Sequence, residues 1–191
     1  MLFLASQSPR RSELLAQLGV AFSPLDILVP ERVLPGEPAI DYVRRVAREK
    51  AGAGLLQVAA IRSAVVLAAD TEVVLDEEVF GKPRDAADAT QMLRRLAGRT
   101  HQVISVVCCA NAGREESLSC VSLVRFAELE ATAMAAYVDT GEWQGKAGGY
   151  AIQGRAAAFI EHLAGSYSAV MGLPLFETAT LLRGFGITAS I

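Results

Sequence analysis

The uninterrupted apolar run Ala64-Val65-Val66-Leu67-Ala68-Ala69, closed by Asp70, constrains this chain more than any other stretch. Its length and β-branched content are those of a fully buried central strand, the kind that α/β proteins build. Such folds open their ligand crevice at the carboxyl ends of strands, so Asp70 stands at a candidate crevice. A turn formed by Asp70 with Thr71 is the structural alternative. Strand character resumes at once in Thr71-Glu72-Val73-Val74-Leu75, which argues against a simple turn.

The amino terminus repeats the theme. Leu2-Phe3-Leu4-Ala5 reads as a buried strand, Ser8 as a helix N-cap, Pro9 as the first helical residue, and Leu14, Leu15 and Leu18 as the buried face of a helix stopped by Gly19. Arg10 and Arg11 then fall in the first helical turn, where the dipole is already positive and each cation costs ~0.3–1 kcal/mol. The conflict disappears if a polyanion sits there, since free backbone N–H groups and two guanidinium forks then converge on its oxygens. The alternative is two tolerated, solvated arginines.

Further along, Val20 to Phe22 suggests a short strand running into Leu25 to Val29, after which Glu31 stands where that strand ends. The spacing of Ile40, Val43, Ala47 and Ala51 predicts an amphipathic helix from Pro38 to about Ala51, ended by Gly52 and Gly54. Its Arg44, Arg45 and Arg48 read as a solvated basic face, whereas Lys50 lies close to the apolar stripe. Asp76-Glu77-Glu78 makes a hairpin-like turn. Lys82 is held between Gly81 and Pro83, which suits a positioned cation. Asp85 with Asp88 caps a helix ending at Gly98. His101 to Ala112 and Glu116 to Phe126 pair across an Asn111–Arg114 turn, and a helix follows from Glu130 to Val138. The glycine-dense stretch Gly141 to Gly154 carries Lys146 and Gln153 and frames a ligand more readily than it joins modules. An apolar strand from Ala156 to Ala164 and a helix from Pro174 to Phe185 close the chain.

With 191 residues and 52% hydrophobic content, the chain has the material for a sizeable core, read as a single domain over 1–191. A net charge of −3 argues against non-specific nucleic-acid binding. Only Met1 to Ala5 precede polar Ser6, too short a run for a signal peptide or a membrane span, so a cytoplasmic protein is expected. The three cysteines form neither a disulfide framework nor a zinc pattern and read as reduced core thiols. His101 and His162 lack acids or cysteines at ligand spacing, so any metal must be held by oxygens. No G-x-x-x-x-G-K-[ST] phosphate loop occurs.

Leu4-Ala5-Ser6-Gln7-Ser8-Pro9-Arg10-Arg11-Ser12-Glu13-Leu14-Leu15 resembles the opening signature of the Maf family of nucleoside triphosphate pyrophosphatases, first known as septum-formation inhibitors. The resemblance extends in order through Glu31, Arg48-Glu49-Lys50-Ala51, Ala69-Asp70-Thr71, Gly81-Lys82-Pro83, Met92 to His101, Lys146 to Gly154, and Gly165 to Pro174. It implies an α/β fold with an elongated mixed β-sheet, flanking helices and two lobes around a cleft, similar to inosine-triphosphate pyrophosphatases, and a homodimer. It further implies a magnesium-dependent enzyme, with manganese or cobalt as substitutes, that cleaves a nucleoside triphosphate to the monophosphate and pyrophosphate. Asp70 is the implied catalytic residue, as proton acceptor or metal ligand, with Glu31 a second ligand. Ser6, Ser8, Arg10, Arg11, Lys50, Thr71, Lys82, Lys146 and Gln153 are the implied substrate contacts.

Lys146-Ala147-Gly148-Gly149-Tyr150-Ala151-Ile152-Gln153-Gly154 resembles the branch that prefers dTTP and UTP; the alternative branch takes 7-methyl-GTP and has Glu in place of the glutamine. A neutral amide offers donor and acceptor to a pyrimidine's carbonyl and N3–H. Two departures stand out. Family members carry acids where this chain has Pro30 and Gly145, which removes oxygen ligands and leaves a non-catalytic nucleotide-binding regulator as a further alternative. A magnesium held by one or two carboxylates plus phosphates and water still fits the remaining residues.

Overall fold

Apolar periodicity builds a seven-stranded mixed sheet in the order β2-β1-β3-β5-β6-β7, with β4 hydrogen-bonded to β3 off that path. The computed structural model describes residues 1–189, so the expected domain's last two positions, 190 and 191, lie outside the described residues. In chain order the strands are β1 (Leu2–Ala5), β2 (Phe22–Leu25), β3 (Val65–Leu75), β4 (Glu78–Val79), β5 (Thr100–Ala110), β6 (Glu115–Phe126) and β7 (Ile160–Ala164). The helices are α1 (Pro9–Ala16), α2 (Ala39–Gln57), α3 (Ala86–Leu96), α4 (Ala131–Val138), α5 (Tyr167–Met171) and α6 (Leu175–Gly184). β1 pairs in parallel with both β2 and β3, while β3, β5, β6 and β7 pair antiparallel. One end of the sheet is therefore α/β in character and the other a meander, as expected for a mixed sheet.

β3 is the spine. Alternate residues of a strand point to opposite faces, and here Val66, Ala68 and Val74 join Val43, Val46, Ala47 and Ala51 of α2 in one cluster, while Val65, Leu67 and Ala69 join Leu14 and Leu15 of α1 and Leu181 and Leu182 of α6 in another. A third cluster fills the far end, where Val73 and Leu75 meet Leu93 and Leu96 of α3, Phe126, Tyr137 and Trp143. Between these clusters the spine turns polar on both faces: Asp70 and Glu72 point with Val66, Ala68 and Val74 toward α2, and Thr71 points the other way. β1 ends at Ala5 and pairs with β3 only as far as Leu67. The cleft opens where that pairing stops.

Several local expectations change. Asp70 lies inside one continuous strand rather than at a strand end. β2 stops at Leu25 instead of running on to Val29, so Glu31 sits in an irregular segment and not at a strand end. α2 does not stop at Gly52 or Gly54 but continues to Gln57. A Cβ at Gly54 would stand 2.8 Å from Val66 Cγ1 and 3.0 Å from Ala5 Cβ, so this glycine lets the helix lie close on the sheet rather than ending it. Residues Arg155–Phe159 form a 3₁₀ turn in place of the first half of the expected Ala156–Ala164 strand. The β3–β4 connection is a two-residue loop with Asp76 and Glu77 at φ of 52° and 67°, the twist that tight hairpins need.

Candidate active site

All the side chains singled out in the sequence line one cleft of about 830 Å³, namely Ser6, Ser8, Arg10, Arg11, Glu31, Lys50, Asp70, Thr71, Lys82, Lys146 and Gln153. Six separate segments deliver them. The β1–α1 junction supplies Ser6, Ser8 and the two arginines. Ser8 occupies the N-cap position, yet its side chain makes no capping bond. Its backbone N–H instead donates to Ser6 Oγ (3.2 Å), folding the loop back on itself. Arg11 Nε donates to the Gly172 carbonyl (2.8 Å), which ties this loop to the α5–α6 junction and fixes the guanidinium in the cleft wall. Burial pulls the pKa of Arg10 down, and neighbouring Arg11 adds to the effect. Burial likewise lowers Arg11, against the pull of Asp70, Glu31 and Glu72. Lys146 is lowered by burial and then by Arg10. Half-buried cations grouped in this way gain from an anion placed among them.

α2 and β3 supply the floor. Lys50, buried beside the apolar stripe, donates to Asp70 Oδ1 (2.7 Å) and to Glu31 Oε1 (2.6 Å), and Lys82 donates to Glu31 Oε2 (2.5 Å). Burial alone would raise the Glu31 carboxyl, but Lys50 and then Lys82 outweigh it and hold it at about 2. Glu31 is therefore a bridge between two lysines, which explains how a residue without secondary structure is kept in place. The Lys82 and Lys146 loops are joined in turn: Gly148 N donates to the carbonyls of Phe80 (2.7 Å) and Gly81 (3.1 Å). Gly148 has φ of 68°, and a Cβ there would be 2.8 Å from Val73 Cγ2, so only glycine lets this loop close on β3. Gln153 is exposed at the rim, on a segment held by the Arg155 N–H donating to Glu142 Oε2 (2.8 Å).

This constellation invites comparison with known proteins. A family model described as Maf-like protein matches residues 1–185. The chain belongs to the Maf family. It is similar to a protein of Xanthomonas campestris pv. campestris named dTTP/UTP pyrophosphatase, 57% identical over 188 residues that span 97% of this chain and 99% of that one. A protein of the same name from Albidiferax ferrireducens is 49% identical over 196 residues, covering 97% of this chain and 96% of its own. Among solved structures, the Staphylococcus aureus Ham1 protein aligns over 66% of this chain and 72% of its own with a TM-score of 0.46 at 13% identity.

One cleft residue of this Maf chain, Glu72, and one fully buried residue behind the cleft wall, Ser105, were not singled out in the sequence. Glu72 is 4% exposed, and burial first, then Asp70 and Glu31, push its carboxyl up to about 8. Its Oε2 and the Oδ2 of Asp70 are buried with no hydrogen-bond partner. The clue was available: in a strand, the second residue after Asp70 shares its face, so a charge there could not be a solvated one. Ser105 on β5 is fully buried and bonds Thr71 Oγ1 (2.8 Å) while donating to the Ala169 carbonyl (2.6 Å). Only the Thr71–Ser105 pairing of β3 with β5 reveals it. No three histidine, cysteine, aspartate or glutamate side chains among the described residues form a metal-holding group.

Proposed function

We propose that this Maf protein, acting as one domain, hydrolyses dTTP and UTP to the monophosphate and pyrophosphate. The observation that carries the reading is the meeting in one cleft of five cationic side chains from four segments with a buried aspartate on the floor. A triphosphate carries the charge that Arg10, Arg11, Lys50, Lys82 and Lys146 need, and phosphoryl chemistry asks chiefly for such positioning and neutralisation. In the step itself a water oxygen bonds to the α phosphorus, the bond from that phosphorus to the bridging oxygen breaks, and pyrophosphate leaves with the bond's electron pair. The water's proton goes to Asp70 Oδ2, the one Asp70 oxygen not bonded to Lys50, or, where that oxygen serves as a ligand, to the departing pyrophosphate.

A divalent cation fits the donor set, because an unpartnered carboxylate oxygen in the cleft is what a hard ion takes. The family resemblance pairs Asp70 with Glu31 as its ligands; magnesium is the first expectation, and manganese or cobalt could replace it. Such an ion supplies charge neutralisation for the leaving pyrophosphate. Base choice falls to Arg10, Thr71 and Gln153. Ser105 donates its only proton to Ala169, so the proton in the Thr71–Ser105 bond is Thr71's and Thr71 offers the cleft a lone pair. That matches the N3–H of uracil and thymine and mismatches the ring nitrogen of cytosine.

The homodimer implied by the resemblance is supported by Val121 and Leu123, large apolar residues of β6 left 49% and 41% exposed. Sedimentation equilibrium tests it. A cytoplasmic location is supported by three cysteines that are all free. No helix among the described residues is long and apolar enough to cross a membrane. The deciding experiment compares kcat/KM for dTTP, UTP, CTP, ATP, GTP and 7-methyl-GTP, with pyrophosphate as the measured product. The reading expects dTTP and UTP to lead. If 7-methyl-GTP leads, the base assignment fails; if orthophosphate is the first product, the α–β cleavage fails.

A further inference from the structure

Four buried side-chain atoms among the described residues have no hydrogen-bond partner, and two of them, Asp70 Oδ2 and Glu72 Oε2, belong to one strand face in the cleft. Leaving a carboxylate oxygen buried and unbonded costs more than leaving a neutral group so, and doing it twice at adjacent positions is a debt the fold itself does not settle. Glu31, by contrast, has nothing spare. Both its oxygens are held by lysines, and withdrawing it toward a metal would strip Lys50 and Lys82 of a shared partner.

We infer that the divalent cation of this protein sits between the carboxylates of Asp70 and Glu72, with Glu31 serving as a counter-charge that aims Lys50 and Lys82 rather than as a ligand. Residues two apart on a strand lie ~6.6–6.8 Å from one another along it, and the longer glutamate side chain has the reach to lean toward its neighbour's oxygen. Two carboxylates, with water and substrate phosphate oxygens completing the shell, are what magnesium ordinarily takes from a protein. Glu72 thereby supplies the oxygen that Pro30 and Gly145 do not. On this arrangement Asp70 Oδ2 is a ligand.

The inference rests on the proposed metal-dependent hydrolysis, and its test separates the two. The dissociation constant of Mn²⁺ is measured by electron paramagnetic resonance with a non-hydrolysable α,β-imido analogue of dTTP present, for the full chain and for Glu72→Gln, Glu31→Gln and Asp70→Asn. Circular dichroism melts confirm that each variant is folded, and Glu72→Asp replaces any Glu72→Gln protein that is not. The expected result is weakening of tenfold or more in Glu72→Gln and Asp70→Asn and less than threefold in Glu31→Gln. Weakening in Glu31→Gln with Glu72→Gln unchanged overturns the inference and leaves metal-dependent hydrolysis standing. No Mn²⁺ binding by the unaltered chain, with hydrolysis proceeding in chelator, overturns both.

Discussion

Gly52 and Gly54 occupy the same helix, two residues apart, and the structure assigns opposite signs to their replacement by alanine. Both substitutions remove a flexible residue from a helix interior and so gain the same ~0.5–1 kcal/mol. At Gly52 nothing lies within 4 Å of the added Cβ, and that gain is the whole effect. At Gly54 the Cβ meets Val66 Cγ1 at 2.8 Å and Ala5 Cβ at 3.0 Å. Val66 and Ala5 are themselves fully buried and cannot swing aside. Overpacking of this kind costs ~1–3 kcal/mol, so Gly54→Ala should be destabilised on balance. Because the propensity gain is common to both, the difference between the variants isolates the packing cost at about 1–3 kcal/mol. Urea unfolding followed by circular dichroism measures it; with a slope of ~2 kcal/mol/M, the midpoints should differ by about 0.5–1.5 M. Lys50 lies one turn before Gly54, so kcat should fall in Gly54→Ala while Gly52→Ala keeps it. If Gly54→Ala proves as stable as Gly52→Ala, the close helix–sheet contact described here is wrong.

Three further outcomes are expected. Lys50→Met leaves Asp70 and Glu31 facing each other without their shared cation and should cost ~3–5 kcal/mol in urea unfolding, more than a surface lysine could. His101 is buried against Tyr150, and burial holds its pKa at about 4 against an ordinary 6.5. The unfolded chain therefore takes up the proton first, so this stabilisation is complete above pH 6.5 and is lost as pH falls toward 4, by about 3 kcal/mol; the slope of stability against pH in that window should flatten in His101→Phe. Ser105→Ala releases the Thr71 hydroxyl to donate as well as accept, so the ratio of kcat/KM for UTP over CTP should narrow at least tenfold, and an unchanged ratio would remove Thr71's fixed proton from base selection.

The sequence by itself determined those elements whose residues carry their own local reason. Pro9 starts α1, Asp85 accepts from the Asp88 N–H to cap α3, and the run from Ala64 to Ala69 could only be a buried strand. The candidate site residues, which share one cleft, were legible for a related reason: Arg10 and Arg11 contradict the helix dipole, Lys82 is stiffened by its neighbours, and ordered motif blocks reach from Leu4 to Pro174. What tertiary structure alone decided were relations between segments distant in the chain. Gly54 reads as a helix stop until the sheet beneath it shows that it is a contact point. Glu31 reads as a loop acid until Lys50 and Lys82 claim its two oxygens. Ser105 is an ordinary strand serine until β3 places Thr71 beside it, and Glu72 can be put on the Asp70 face from strand alternation, but its unpartnered oxygen appears only once the fold buries it. Propensity and periodicity act over a few residues, whereas desolvation and charge pairing depend on what the fold brings near.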